Sequence, residues 1–288
     1  MANLKEIKRR IQSVKNTQQI TKAMKLVAAS KLRKAQQAIL EARPYAIKMM
    51  EVLNHLAARC NSDVHPLLDV REGNRHLLLI ITSDKGLCGG FNGTIIRKTA
   101  QYLKDNDENE NSLIVAGKKG NDIFCNRPVT IIEEHVGWTK DFDHLKAQAI
   151  SESLATMFSE NKIDKVSMIY NEFKSVMQQE VIVEQLLPVV PEKLEQSKDS
   201  YSVDYIYEPD EESILDEMLK RYMTVEVYRA FLESSASEHG ARMTAMDAAS
   251  RNAGEMIDGL TLTYNKARQA YITKELIEIV NGAEALKG

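Results

Sequence analysis

From Leu4, a step of three and four residues picks out Leu4, Ile7, Ile11 and Val14, then polar Gln18, Thr21 and Lys25. It resumes at Ala28, Leu32, Ala35, Ile39, Ala42, Ala46, Met49, Leu53 and Leu56. This is a heptad seam of about seven repeats, broken once by a polar gap. Inside the gap an ideal 3.6-residue period slides the apolar face to Ile20, Met24 and Val27. Several seam positions are alanine, so a partner helix can approach closely. Pro44 interrupts the pattern without ending it and predicts a kink rather than a stop.

A second seam follows the last proline, Pro209. Asp210 is the predicted N-cap, with Glu211 and Glu212 in the first turn, where the helix dipole favours acids. The seam runs Leu215, Met218, Tyr222, Val225, Leu232, Ala236, Met243, Met246, Ala253, Ile257, Leu260, Tyr264 and Ala267. Arg229, His239 and Ser250 fill three of its steps, and Asn281-Gly282 is the predicted stop. Such a helix would be roughly 105 Å long, whereas a globule of this chain length has a radius of gyration of about 19 Å. It must therefore project as a rod and pair antiparallel with the first helix. The predicted register makes paired residue numbers sum to about 270, within a turn. Met24 then faces Met243 and Met246. Roughly the last 20 residues have no partner helix from this chain, although they carry Ile272, Leu276, Ile277, Ile279 and Val280.

The middle has a different rhythm. Arg75–Thr82, Ser112–Ala116, Val129–Glu133 and Lys165–Tyr170 are strand-like, separated by helical stretches near 91–104, 118–124 and 141–160. That alternation predicts a mostly parallel, Rossmann-like sheet with covering helices. The fold class is thus α/β plus coiled coil: a coiled-coil helix at 1–59, a central domain at 75–206 and a second coiled-coil helix at 210–288. Asp105–Asn111 and Glu192–Ser202 are predicted loops.

Charge sharpens this picture. The net charge is −3, but residues 1–59 carry +10, residues 211–288 carry −4 and the middle −9. A basic helix can pair with an acidic one and also face an acidic partner. The three cysteines, Cys60, Cys88 and Cys125, are scattered, which predicts a reduced protein rather than a disulfide framework. No apolar run approaches the roughly 18 residues of a membrane span. The basic start resembles a transit peptide in composition, but its seam continues too far for a removable leader.

No motif assembles a catalytic site. Ser83–Asn92 (SDKGLCGGFN) follows a strand and opens a helix, where phosphate loops often lie, but its spacing fits neither G-x-G-x-x-G nor a Walker motif. A tight turn, or a loop offering amides to a partner, is the alternative. His55, Cys60 and His65, with Asp63 nearby, lack zinc-ligand pairing. Cys88 beside Lys85 raises a reactive thiol, without a base in the motif. No cofactor or metal is expected. The basic first helix admits nucleic-acid binding, but no recognition motif or stacking aromatic stripe accompanies it.

Three segments decide among these readings: Ile20–Gln36 (ITKAMKLVAASKLRKAQ), Thr82–Asn92 (TSDKGLCGGFN) and Asn265–Leu286 (NKARQAYITKELIEIVNGAEAL). Together they resemble the gamma subunit of bacterial F-type ATP synthases, over the whole chain. The resemblance implies a central rotor shaft, not an enzyme in itself. Its coiled coil would turn inside a ring of three alpha and three beta subunits, and its foot would stand on the membrane c ring beside epsilon. Proton-driven rotation would move the beta sites through their states, and the chain would regulate ATPase activity and proton flow. Membrane association would come only through the complex, at the cytoplasmic face of the bacterial membrane, with no nucleic acid involved. It also implies that Met24, Lys25, Arg242, Arg268, Gln269 and Thr273 meet beta, with Lys85 and Cys88 as a second contact, and that Tyr205, Tyr207 and Glu208 meet the c ring and epsilon. Tyr271 stands where the family leads one to expect a small residue, and Arg251 where it leads one to expect an acid. The close cysteine pair of the chloroplast form is absent. A basic coiled-coil nucleic-acid-binding protein and a nucleotide-binding α/β enzyme are the competing readings.

Overall fold

The computed structural model describes residues 4–57, 65–140, 142–190 and 211–285. The elements are α1 (Leu4–Ala57), β1 (Arg75–Ile81), α2 (Phe91–Asp105), β2 (Glu110–Ala116) and α3 (Lys118–Phe124). They continue with β3 (Thr130–His135), α4 (His144–Ser159), β4 (Lys165–Phe173), β5 (Gln179–Leu187) and α5 (Glu211–Ala285). Two long helices flank a central sheet, the α/β-plus-coiled-coil class. The chain divides into two compact units, Ala29–Arg242, and Met1–Ala28 with Met243–Gly288.

In the larger unit the sheet order is β3-β2-β1-β4-β5. The first four strands are parallel, and β5 runs antiparallel to β4. Leu77–Ile81 is buried throughout because both sheet faces are covered, as parallel sheets require. Alternate side chains go to opposite faces. Leu78, Ile80, Leu113 and Val115 meet Phe91 and Ile95 of α2 and Phe124 of α3. Leu77, Leu79, Ile81 and Ile114 meet Ala147, Ile150, Leu154 and Phe158 of α4. Strand β5 is an addition to the sequence reading. Its Val181, Ile182 and Val183 are only half-buried, so it carries the weaker pattern of an edge strand.

Helix α5 corrects the sequence reading most. Leu215, Leu219, Met223, Val227, Ala230 and Phe231 lie in the same core as β1 and α4. This stretch is therefore a core helix of the α/β domain and not only a coiled-coil strand. Phe231 is stacked on Phe142 with ring centroids 3.9 Å apart and meets Trp138 edge-on at 4.9 Å. Another face of α5 takes α1: Leu32, Ala35 and Ile39 cluster with Ala236 and Leu232.

In the smaller unit the two helices pair antiparallel. Gln18 Nε2 donates to the Ser250 carbonyl at 3.2 Å, and Lys25 Nζ is 2.5 Å from Asp247 Oδ1. These pairs sum to 268 and 272, matching the expected register. The expected slide of the apolar face does not occur. Thr21 is buried in the seam while Ile20 and Val27 are 60% and 58% exposed. Polar partners on α5 hold the gap in heptad register, so the apolar residues beside it face outward. α1 passes through Pro44 without ending, as expected, but α5 overruns the expected stop at Asn281-Gly282 and continues to Ala285. An interior glycine costs about 1 kcal/mol relative to alanine, and Ala283–Ala285 beyond it favour helix. From Arg268 to Ala285 every residue is exposed.

These burial patterns fix opposite outcomes for two large apolar residues. Phe231→Ala should destabilise the full-length chain by about 3–5 kcal/mol, as truncation of a core phenylalanine does. Ile20→Ala should stay within about 0.5 kcal/mol. Denaturant unfolding of both variants measures the contrast.

Candidate functional site

The glycine-rich loop leaves β1 beside β4, at the point where the strand order reverses. In doubly wound sheets ligands usually enter at that crevice. Here α5 fills it. Ser234 Oγ reaches the Ile81 carbonyl at 3.5 Å, and Ser237 Oγ donates to the Asn171 carbonyl at 3.1 Å. The buried Glu233 carboxylate accepts the Phe173 amide at 3.0 Å. The ends of β1 and β4 are thereby tied to one helix.

The loop is also satisfied from within. Asp84 accepts the backbone amides of Lys118, Gly137 and Thr139 and the Thr139 hydroxyl. Burial works against its charge, yet these hydrogen bonds outweigh it and lower its pKa. Asp84 thereby ties this loop to the segments that follow β2 and β3. The Ser83 amide is taken in turn by Asn92 Oδ1 at 2.9 Å. Gly117, at φ 96°, passes so close to Thr82 that a Cβ would meet its carbonyl oxygen at 2.1 Å. The Trp138 indole donates to that same carbonyl at 2.8 Å. Cys88 is buried, and desolvation raises its thiol pKa, the opposite of an activated nucleophile.

The side chains that the loop presents outward are those of Lys85 and Leu87, on either side of the exposed Gly86. Leu87 was not singled out by sequence. It is 65% exposed and holds φ at 63°. Arg242 of α5 reaches across to this turn, with Nη2 3.3 Å from the Gly86 carbonyl and 3.5 Å from that of Lys85. Beneath it His239 is buried, and burial, Arg242 and Lys31 together lower its pKa to about 4.

The smaller unit carries the other candidates. Met24 is half-buried, and Lys25 is paired with Asp247, whose carboxylate that hydrogen bond holds below its usual pKa. Arg251 lies 3.5 Å from the same Asp247, so two cations share one acid. Asp247 was missed, although it is the acid within a turn of Lys25 in the expected register. Ile20, Leu26 and Val27 form an exposed apolar group next to Met24 and Lys25 in sequence. Arg268, Gln269, Tyr271 and Thr273 are all exposed.

A family model described as ATP synthase matches residues 3–286. The chain is 49% identical to the ATP synthase gamma chain of Geobacter sp. (strain M21), over the full length of both. The chain belongs to the ATP synthase gamma chain family. Among solved structures, the central stalk/c-ring of Tetrahymena thermophila mitochondrial ATP synthase aligns with a TM-score of 0.62. That match has 29% identity and covers 80% of this chain and 99% of that one. The Euglena gracilis mitochondrial ATP synthase structure (OSCP/F1/c-ring) shares the fold, with a TM-score of 0.72 at 20% identity over 98% and 94% of the two chains.

Against the gamma-family expectations, the larger unit brings Lys85 and Arg242 together and places Cys88 beneath them. The smaller unit joins Lys25 to Asp247. Tyr205, Tyr207 and Glu208 lie outside the described residues, as do Asp210, Cys60 and Asp63 and the side chain of His55. His65 spends both ring nitrogens: Nδ1 accepts the Leu67 amide and Nε2 lies 3.1 Å from Asp216. Among the described residues no group of three or more His, Cys, Asp or Glu could hold a metal ion.

His239 gives this site a pH signature. Its folded pKa of about 4 lies below the unfolded value near 6.5. Between these values the unfolded chain binds a proton that the native chain does not. The stability it contributes is fully present above pH 6.5 and is lost as pH falls toward 4, by up to about 3 kcal/mol. His239→Gln should flatten that part of the stability–pH curve, measured by denaturant titration against the parent chain.

Proposed function

We propose that this chain, a central-stalk subunit of ATP synthase, converts rotation into changes at partner subunits through exposed side chains, with no catalysis of its own. The observation that carries the reading is the occupation of the sheet's ligand crevice by α5. Where a nucleotide-binding relative of this architecture would hold its ligand, the domain grips its own shaft helix at Ile81, Asn171 and Phe173. A domain fastened in that way is suited to turn with the helix. The catalytic sites then belong to beta, and the purified full-length chain should show no ATPase activity. Turnover that disappears on Lys85→Ala would overturn that reading.

The partner contacts follow from exposure where the residues are described, and from the family resemblance for Tyr205, Tyr207 and Glu208. Met24 and Lys25, with Ile20 and Val27 beside them, form one contact to beta, and Lys85 and its turn form a second. Arg268, Gln269 and Thr273 form a third near the tip, and Tyr205, Tyr207 and Glu208 meet the c ring and epsilon. Among the described residues no helix is long and apolar enough to cross a membrane. The chain joins a membrane-associated complex through these subunits, at the cytoplasmic face.

The last helical turns supply a further test. Leu276, Ile279 and Val280 are 57%, 66% and 59% exposed, an apolar group that a lone helix in water would not present. A sleeve of partner subunits that lets the tip turn accounts for them. Leu276→Ser with Ile279→Ser and Val280→Ser should lower the yield of assembled synthase more than its coupling. Arg268→Ala with Gln269→Ala should do the reverse. Complex yield and proton-driven ATP synthesis, measured on both variants, decide it; normal assembly of the serine variant would rule out the sleeve.

A further inference from the structure

The family resemblance puts Arg242 at a partner contact, yet only 11% of its side chain is exposed. Its terminal nitrogens point inward. Nη2 is 2.6 Å from Glu238 Oε1 and also faces the Lys85 and Gly86 carbonyls, while Nη1 is 3.3 Å from His239 Nδ1. Glu238 and His239 stand one helical turn before Arg242, so all three share one face of α5.

Each neighbour restricts where Arg242 can go. The Glu238 side chain is 3% exposed, and its second oxygen, Oε2, is buried with no hydrogen-bond partner among the described residues. Among the described residues Arg242 is the cation paired directly with that carboxylate, Lys31 acting on it only at longer range, and moving away would leave a buried charge poorly compensated. His239 can accept from Nη1 only while Nδ1 is unprotonated, and its buried, cationic surroundings favour the neutral ring that this requires. The turn that Arg242 grips holds Leu87 in a left-handed conformation. Non-glycine residues keep such a conformation only where the surroundings impose it.

We propose that Arg242 acts on the partner at second hand: Glu238 and His239 clamp its guanidinium against the Lys85–Gly86 carbonyls, locking the exposed Lys85–Leu87 turn to α5. Glu238 and His239 are then positioning residues, and Leu87 and Lys85 are the groups that meet the partner. This rests on reading that turn as a beta contact, and it adds what holds the turn rigid when force is applied.

The test has a local arm and a coupled arm. In the full-length chain, trypsin cleavage after the exposed Lys85 reports opening of the turn. Glu238→Gln and Arg242→Gln should each speed that cleavage about tenfold, the loss expected for a charge-assisted hydrogen bond when cleavage follows the open population. The double variant should be no faster than either single one, because both remove the same clamp. Arg242→Lys keeps a cation beside Glu238 but loses the fork, so it should also open the turn. That variant serves if Glu238→Gln fails to fold. Cleavage at the parent rate, or rate effects that multiply, would overturn the clamp. In the assembled synthase, Glu238→Gln should lower the ratio of proton-driven synthesis to hydrolysis about threefold. Faster cleavage with an unchanged ratio would overturn the role in force transfer. The rotor reading itself would fail separately, through loss of alpha and beta from preparations of the parent complex.

Discussion

The burial of α5 between Leu215 and Arg242 is the constraint on which the rest depends. Most surface helices hide one stripe and show the other to water. Here one face packs on the sheet and α4, another meets α1, and the serines between them cap the ends of β1 and β4. Ser234 and Ser237 are small enough to let the helix approach the strand carbonyls and polar enough to bond them. A larger apolar residue at either place would hold the helix off the sheet and leave those carbonyls unpaired.

A helix buried on several sides could rotate or slip by a turn if its surface were uniformly apolar. Buried charges on α5 prevent this. Glu226 is paired with Arg229, which also binds Glu184 of β5 at 2.7 Å. Glu233 takes the Phe173 amide, and Glu238 takes Arg242. Burial raises the pKa of Glu226 and Glu238 and their arginines oppose it. Such pairs add little net stability, but a displaced register would part Arg229 from Glu184, Glu233 from the Phe173 amide and Arg242 from the Lys85 and Gly86 carbonyls. They specify position rather than strength, which is what a part under torque needs.

Much of this was legible in the residues. Heptad spacing placed Ile7, Ala28, Leu32, Ala35, Ile39 and Leu53 in a seam, and all are buried. The apolar runs of β1, β2 and β4 stood out because those strands lie inside the sheet and are largely buried, and β3, an edge strand with alternate residues exposed, still showed Val129, Ile131 and Ile132. Strand β5 did not stand out, since Gln179, Glu180, Glu184 and Gln185 leave it only a three-residue apolar run before Leu186. The clamp around Arg242 was hidden for another reason. His239 read as a polar interruption of a seam, and Glu238 lay off it. Only the fold brings Lys85 and Gly86, more than 150 residues earlier, against that face.

The polar gap in α1 is the most instructive departure. Periodicity alone moves the apolar face outward to Ile20 and Val27, because a helix left to itself drifts from a strict seven-residue repeat. The partner helix overrides that drift. Gln18 finds the Ser250 carbonyl and Lys25 finds Asp247, so polar residues remain in the seam. Each such pair is individually weak at half-exposed positions, and an apolar seam would hold the helices more tightly. What the polar pairs provide is a displaced set of apolar residues, Ile20, Leu26 and Val27, left facing water beside Met24. On the proposed contact to beta, that exchange makes sense: adhesion within the coiled coil is reduced and an apolar patch is left facing outward. Arg251 fits the same logic. It joins Lys25 on the single carboxylate of Asp247, leaving this surface with an excess positive charge.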